Sequence, residues 1–229
     1  MKYIFIAANW KANNVAVREW LERLKILISD SPIEERKKII ICPPFTLLAQ
    51  TRYLISTVNL SLSLGAQNIS QFPLGAHTGE ETGEMLKNLA QYVIIGHSER
   101  RAMGETEEEI GAKLDKAWGH GLIPILCVSQ ISEIEHQFSR IKINGEIQNI
   151  IIAFEPLQAI GSGNPDTPEH AAEFAGQVKS ILGEVDVLYG GSVKGENVHL
   201  FTSQTNISGV LVGGASLQAE SFYAIIKNS

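Results

Sequence analysis

Eight short runs rich in Val, Ile and Leu recur along the chain, and the segments between them carry apolar residues at helical spacing. This alternation predicts a parallel sheet, because strands that run in one direction need a crossover between them. Strands are expected at residues 3–8, 38–42, 60–66, 92–95, 123–128, 150–154, 185–189 and 209–212. Helices are expected at 15–28, 45–57, 83–89, 106–118, 132–141, 168–182, 196–201 and 215–226, one after each strand. Spread over 229 residues, each unit averages about 29, the size of a compact βα repeat. No linker rich in Pro, Gly or Ser interrupts the series, so residues 1–229 read as a single α/β domain, a closed (β/α)8 barrel. A doubly wound open sheet is the alternative. No strand is followed by G-x-G-x-x-G or by a Walker loop, which disfavours it.

Charge and cysteine usage narrow the function. Nineteen basic and 25 acidic residues leave a net charge of −6, which disfavours binding by neutralising a polyanion, so nucleic acid is not an expected partner. The apolar stretch before Asn9 is too short for a secretory h-region or a membrane span, so no membrane partner and a cytoplasmic location are expected. The two cysteines, Cys42 and Cys127, sit in apolar runs with no CxxC spacing and no nearby His cluster. Buried free thiols in a reducing compartment are the expectation, and no metal site.

In a barrel of this kind chemistry collects at the carboxyl ends of the strands. Asn9 and Lys11 follow the first strand, residues 96–101 (GHSERR) the fourth, and Glu155 ends the sixth. Residues 189–193 (YGGSV) span the end of the seventh, and Gly213 with Gly214 follows the eighth. One pair of glycines after a strand is more often a tight turn. Two pairs after the last two strands, with the Ser192 hydroxyl between them, point to phosphate held on bare backbone N–H groups.

Taken singly, His97 reads as a structural histidine, Glu155 as a helix-start carboxylate and Lys11 as a solvated charge. Together they supply a base, an electrophile and a fixed cation around an anion pocket, which suits proton abstraction beside a carbonyl with stabilisation of the enediolate. Such chemistry requires no metal. Arg100 and Arg101 look exposed and are assigned to salt bridges. The twelve residues 156–167 (PLQAIGSGNPDT) exceed an ordinary βα loop and read as a lid, with Gly161 and Ser162 offering donors to a small anion.

At these positions the sequence resembles the triosephosphate isomerase family over nearly its whole length. The resemblance is carried by ANWK at 8–11, GAHTGE at 75–80, GHSERR at 96–101, AFEPLQAIGSG at 153–163, YGGSV at 189–193 and GVLVGGASL at 209–217. It implies a cofactor-free interconversion of dihydroxyacetone phosphate and glyceraldehyde 3-phosphate, in glycolysis and gluconeogenesis. By the same resemblance, Glu155 is the base and His97 the electrophile, a pairing of glutamate with neutral histidine known for this family. Asn9 and Lys11 would hold substrate and offset its charge. Gly161, Ser192, Gly213 and Gly214 would grip the phosphate. Ser98 is similar to a serine that holds the base while the lid is open, and Glu99 to an acid that supports the lysine. A homodimer is also implied, in which the loop at 71–79 reaches the partner's site with Thr78 near Asn9 and Lys11.

This chain departs from the family pattern at the lid and beside it. Gln158 replaces a tryptophan, Asn164 a lysine, and CVSQ at 127–130 a Cys-x-Gly-Glu. If Gln158 braces the hinge, it should do so through a hydrogen bond. The 28 positions from Cys127 to Glu155 (155 − 127) are fewer than the family's, which predicts a shortened fifth helix. Two rival readings remain: a phosphate-binding barrel without catalysis, and an aldose–ketose isomerase of a longer phosphosugar.

Overall fold

The computed structural model of the chain describes residues 3–141, 149–159 and 163–229. Eight parallel strands close on themselves in sequence order: β1 (Ile4–Asn9), β2 (Lys37–Cys42), β3 (Leu62–Ala66), β4 (Tyr92–Ile95), β5 (Ile123–Val128), β6 (Ile151–Phe154), β7 (Asp186–Tyr189) and β8 (Gly209–Val212). The seam pairs β1 with β8, Phe5 against Gly209 through Ala8 against Val212. The α/β barrel expected from the alternation is the observed architecture.

Period-two alternation explains how one set of strands serves two cores. Ala7, Ile40, Cys42, Ile94, Ile125, Cys127, Ile151, Ala153, Leu188 and Leu211 point inward and fill the barrel. The intervening residues, such as Ile6 and Ala8 of β1, face outward into a larger core shared with the helices. Each fully buried Val, Leu or Ile side chain contributes roughly 1.5–3 kcal/mol, so both layers are needed for closure.

The helices are α1 (Val17–Asp30), α2 (Phe45–Val58), α3 (Gly83–Leu86), α4 (Ser98–Ala102), α5 (Glu107–Gly119), α6 (Ile131–Ile141), α7 (Pro168–Leu182), α8 (Val198–Thr202) and α9 (Ala219–Asn228). Local sequence sets several starts. Thr106 and Glu109 form a reciprocal capping box at α5, and Thr167 caps α7 with Pro168 in its first turn. At the far end of the barrel the buried Lys37 ammonium donates to the carbonyls of Ile226 (2.7 Å) and Lys227 (3.1 Å), capping α9. Burial pulls the pKa of that ammonium down.

Two expectations about helices need correction. β4 is followed by two helices, because GHSERR itself contains α4, whose five residues are too few to show a periodicity. The last expected helix, 215–226, is a 3-10 turn at Gly214–Ser216 followed by α9. Arg101 is also less exposed than expected, at 17%. Its Nε donates to Gly96 O at 2.8 Å and Nη2 to Cys127 O at 3.3 Å, and Nη1 pairs with Glu107, so it ties the ends of β4 and β5 to α5. Among the described residues no helix is long and apolar enough to cross a membrane. Cys42 and Cys127 are free and buried, and burial pushes the Cys42 thiol up to about 12.

Candidate active site

The alternation that fills the barrel also aims its mouth. Along β1 the inward residue Ala7 is followed two positions on by Asn9, and along β6 the inward Ile151 and Ala153 are followed by Glu155. On β7 and β8 the same step leads from Leu188 to Gly190 and from Leu211 to Gly213. These four positions line one cavity of about 210 Å³ together with Lys11, His97, Ser192 and Gly214. That is below the ~300–1,000 Å³ of drug-sized ligand sites and suits a small substrate. A Cβ on Gly190 would lie 3.0 Å from Glu155 Cγ, and one on Gly213 would lie 3.2 Å from Lys11 Cε. Bare backbone at these inward positions gives the carboxylate and the ammonium their room.

Glu155 is 3% exposed. Its backbone N–H donates to Val128 O at 2.7 Å, which continues the β5–β6 ladder past the strand end. Its carboxylate spans two groups from the β4 end: Oε1 lies 3.1 Å from His97 Nε2, and Oε2 accepts the Ser98 N–H at 2.9 Å. His97 caps α4, and its Nδ1 accepts the Glu99 N–H at 3.2 Å. With Nδ1 accepting, the ring proton belongs on Nε2, where it points at the carboxylate. The Ser98 hydroxyl is buried with no partner among the described residues.

Lys11 holds a left-handed backbone, φ 51°, which is costly for a residue with a side chain. Its surroundings enforce it. The Lys11 N–H donates to Asn9 Oδ1 at 3.0 Å, and Gln67 Nε2 donates both to Lys11 O (3.0 Å) and to Cys42 O (2.9 Å). The ammonium then meets Glu99 Oε1 at 2.5 Å. Both ends of this pair are partly exposed, so it adds little to stability and serves chiefly to aim the side chain.

Two groups of the seventh strand's end tether the lid. Ser192 Oγ donates to Ala159 O at 2.7 Å and accepts the Gly163 N–H at 3.2 Å, so its hydroxyl is engaged with the lid in this arrangement. Tyr189 Oη accepts the Asp166 N–H at 2.8 Å. Its buried ring stacks on Phe201 at 3.9 Å, and burial pushes its hydroxyl up to about 12, so it keeps its proton near neutrality. Gly161 and Ser162 lie outside the described residues. Gln158 is exposed, and no group among the described residues hydrogen-bonds to it, contrary to the expectation that its amide braces the hinge.

The structure therefore brings Glu155, His97, Lys11, Asn9, Ser192, Gly213 and Gly214 around one cavity. Thr78 lies elsewhere, exposed in the 71–79 loop. Two residues escaped the sequence reading. Gln67 directly follows β3 and was open to the same strand-end rule. Lys194 follows the YGGSV segment and lines the cavity as well.

A buried carboxylate set against an imidazole, with an ammonium and glycine backbone at the carboxyl end of a (β/α)8 barrel, defines an enzyme that moves protons on a small anionic substrate. The chain belongs to the triosephosphate isomerase family, whose sequence model, described as Triosephosphate isomerase, matches residues 4–229. Similar curated proteins carry the same name. That of Dehalococcoides mccartyi strain CBDB1 is 41% identical over 251 aligned positions, covering 100% of this chain and 97% of that protein. That of Dictyoglomus thermophilum is 40% identical and covers 100% of both chains. That of Nostoc sp. is 39% identical and covers 99% of each.

Proposed function

We propose that the whole chain acts as one catalytic domain that interconverts dihydroxyacetone phosphate and D-glyceraldehyde 3-phosphate through an enediolate, in glycolysis and gluconeogenesis. The observation that carries this reading is the contact between Glu155 and His97, 3.1 Å apart at the mouth. The Glu155 carboxylate takes the proton from the carbon beside the carbonyl, while His97 Nε2–H donates to the carbonyl oxygen, so negative charge builds where a donor already stands. The Lys11 ammonium and the Asn9 side chain stabilise the developing oxyanion. His97 passes its Nε2 proton to the carbonyl oxygen and takes the hydroxyl proton from the neighbouring oxygen, and Glu155 returns the carbon proton to the neighbouring carbon, which completes the isomerisation without net gain or loss of atoms. Gly161, Gly213, Gly214 and the backbone at Ser192 take the phosphate.

Glyceraldehyde 3-phosphate added to the protein should yield dihydroxyacetone phosphate, read by a coupled assay. Phosphate binding without turnover would favour the non-catalytic barrel, and turnover of longer phosphosugars alone would favour the other isomerase.

The active form is a homodimer located in the cytoplasm. Buried free thiols support a reducing compartment. The exposed 71–79 loop supports the dimer, since it presents Phe72 stacked on His77 (4.4 Å) and an exposed Leu74. Thr78 of this loop would brace the Lys11 region of the partner. Light scattering should therefore give twice the chain mass, and dilution should lower specific activity. A fully active monomer would refute the assembly.

A further inference from the structure

The two lysines of the cavity wall are in different electrostatic states. Lys11 is paired with Glu99. Lys194 is exposed, and its side chain has no ion pair or hydrogen bond among the described residues. Its backbone is nonetheless fixed. Asn197 Oδ1 accepts the Lys194 N–H at 2.8 Å, and Asn197 Nδ2 donates to Ser192 O at 3.1 Å. The Lys194 carbonyl accepts the N–H groups of Asn197 (3.2 Å) and Val198 (3.0 Å) as α8 begins. One asparagine side chain thus staples the segment 192–197, and the lysine side chain extends from it exposed.

Charge on the rest of the molecule makes such a cation consequential. The chain carries a net −6, the cavity holds the Glu155 carboxylate, and the positive charge of Lys11 is offset by Glu99. A phosphate dianion approaching a chain of net negative charge gains from an unpaired cation at the cavity mouth. The glycine backbone at 191, 213 and 214 supplies partial charges, which act only at contact distance.

We infer that Lys194 is a substrate-recognition residue, whose unpaired ammonium draws the phosphate dianion into the glycine-lined end of the cavity. The inference rests on the phosphorylated substrate of the proposed function. It assigns Lys194 to capture of the dianion and to no proton transfer.

The test compares Lys194→Gln, Lys194→Glu and Lys194→Arg by two readouts. Calorimetric titration with glycerol 3-phosphate reads binding without turnover, and steady-state kinetics with glyceraldehyde 3-phosphate separates KM from kcat. Removing one charge from a dianion's path in water-like dielectric corresponds to about three- to tenfold. Lys194→Gln should weaken glycerol 3-phosphate binding by that factor at low ionic strength, Lys194→Glu should weaken it further, and Lys194→Arg should restore it. The gap should narrow as salt is added, and the kinetic loss should fall on KM. Unchanged binding in Lys194→Glu, a loss confined to kcat, or a loss that neither salt nor arginine alters would overturn the inference. Wild-type protein that binds glycerol 3-phosphate through Lys194 yet turns over no triose would sink the functional reading alone. Normal turnover with indifferent variants would sink only the role of Lys194.

Discussion

Glu155→Gln should lower turnover by at least about 10²–10⁴-fold, the contribution of a positioned general base, while phosphate ligands still bind. The amide fills the same space but cannot accept the substrate proton. The local hydrogen bonds sharpen the expectation. Ser98 N–H and His97 Nε2–H both donate toward the carboxylate oxygens, whereas an amide offers one acceptor and one donor. If the amide oxygen keeps the Ser98 bond, its NH2 faces the Nε2 proton of His97, and the imidazole cannot respond by moving that proton to Nδ1, which accepts from Glu99. The variant therefore loses the base and disturbs the electrophile together. Coupled assays should record the drop in kcat, and calorimetry with glycerol 3-phosphate should show retained binding. Near-normal turnover would end the proposed mechanism.

Gly209→Ala should cost stability on a comparable scale. Gly209 stands on the β1–β8 seam opposite Phe5, with φ at 152°, and a Cβ there would lie 1.9 Å from Phe5 O and 2.7 Å from Phe5 C and N. Neither backbone can yield without breaking the closing ladder, which includes the Phe5 N–H to Ser208 O bond at 2.9 Å. A loss of roughly 3 kcal/mol or more is expected, a large share of the ~5–15 kcal/mol typical of a folded protein. For a chain of this size that corresponds to about 6–12 °C in Tm, or to insoluble protein. Gly119→Ala, at the end of α5 with nothing within 4 Å of the added Cβ, is the control and should change Tm little. Equal melting of the two variants would show that the seam tolerates a side chain.

Much of this protein is legible residue by residue because strand alternation is a local property of the backbone. Ile151, Ala153 and Glu155 share a parity, as do Leu211 and Gly213, so where a strand ends, the next residue of the inward set must stand at the barrel mouth. The eight strands and the strand-end positions of Asn9, Glu155 and Gly213 follow from that parity. Helix α4 does not, since five residues carry no readable period, and neither does the split of the last helix at Gly214–Ser216.

Closure of the barrel decides everything that depends on two distant strand ends meeting. The separation between Glu155 and His97 is a property of β4 and β6 seated on either side of β5. The left-handed turn at Lys11 persists because Gln67, from the end of β3, holds its carbonyl. Sequence composition shows that Ser192 has a hydroxyl, and only the folded loop shows that Ala159 and Gly163 engage it. Likewise Lys11 and Lys194 are equal charges in the chain, yet Glu99 in α4 reaches one and leaves the other lining the cavity with no partner among the described residues. Side-chain chemistry and strand parity are carried by the chain itself, whereas pairing is settled by which neighbours the closed barrel brings within hydrogen-bond distance.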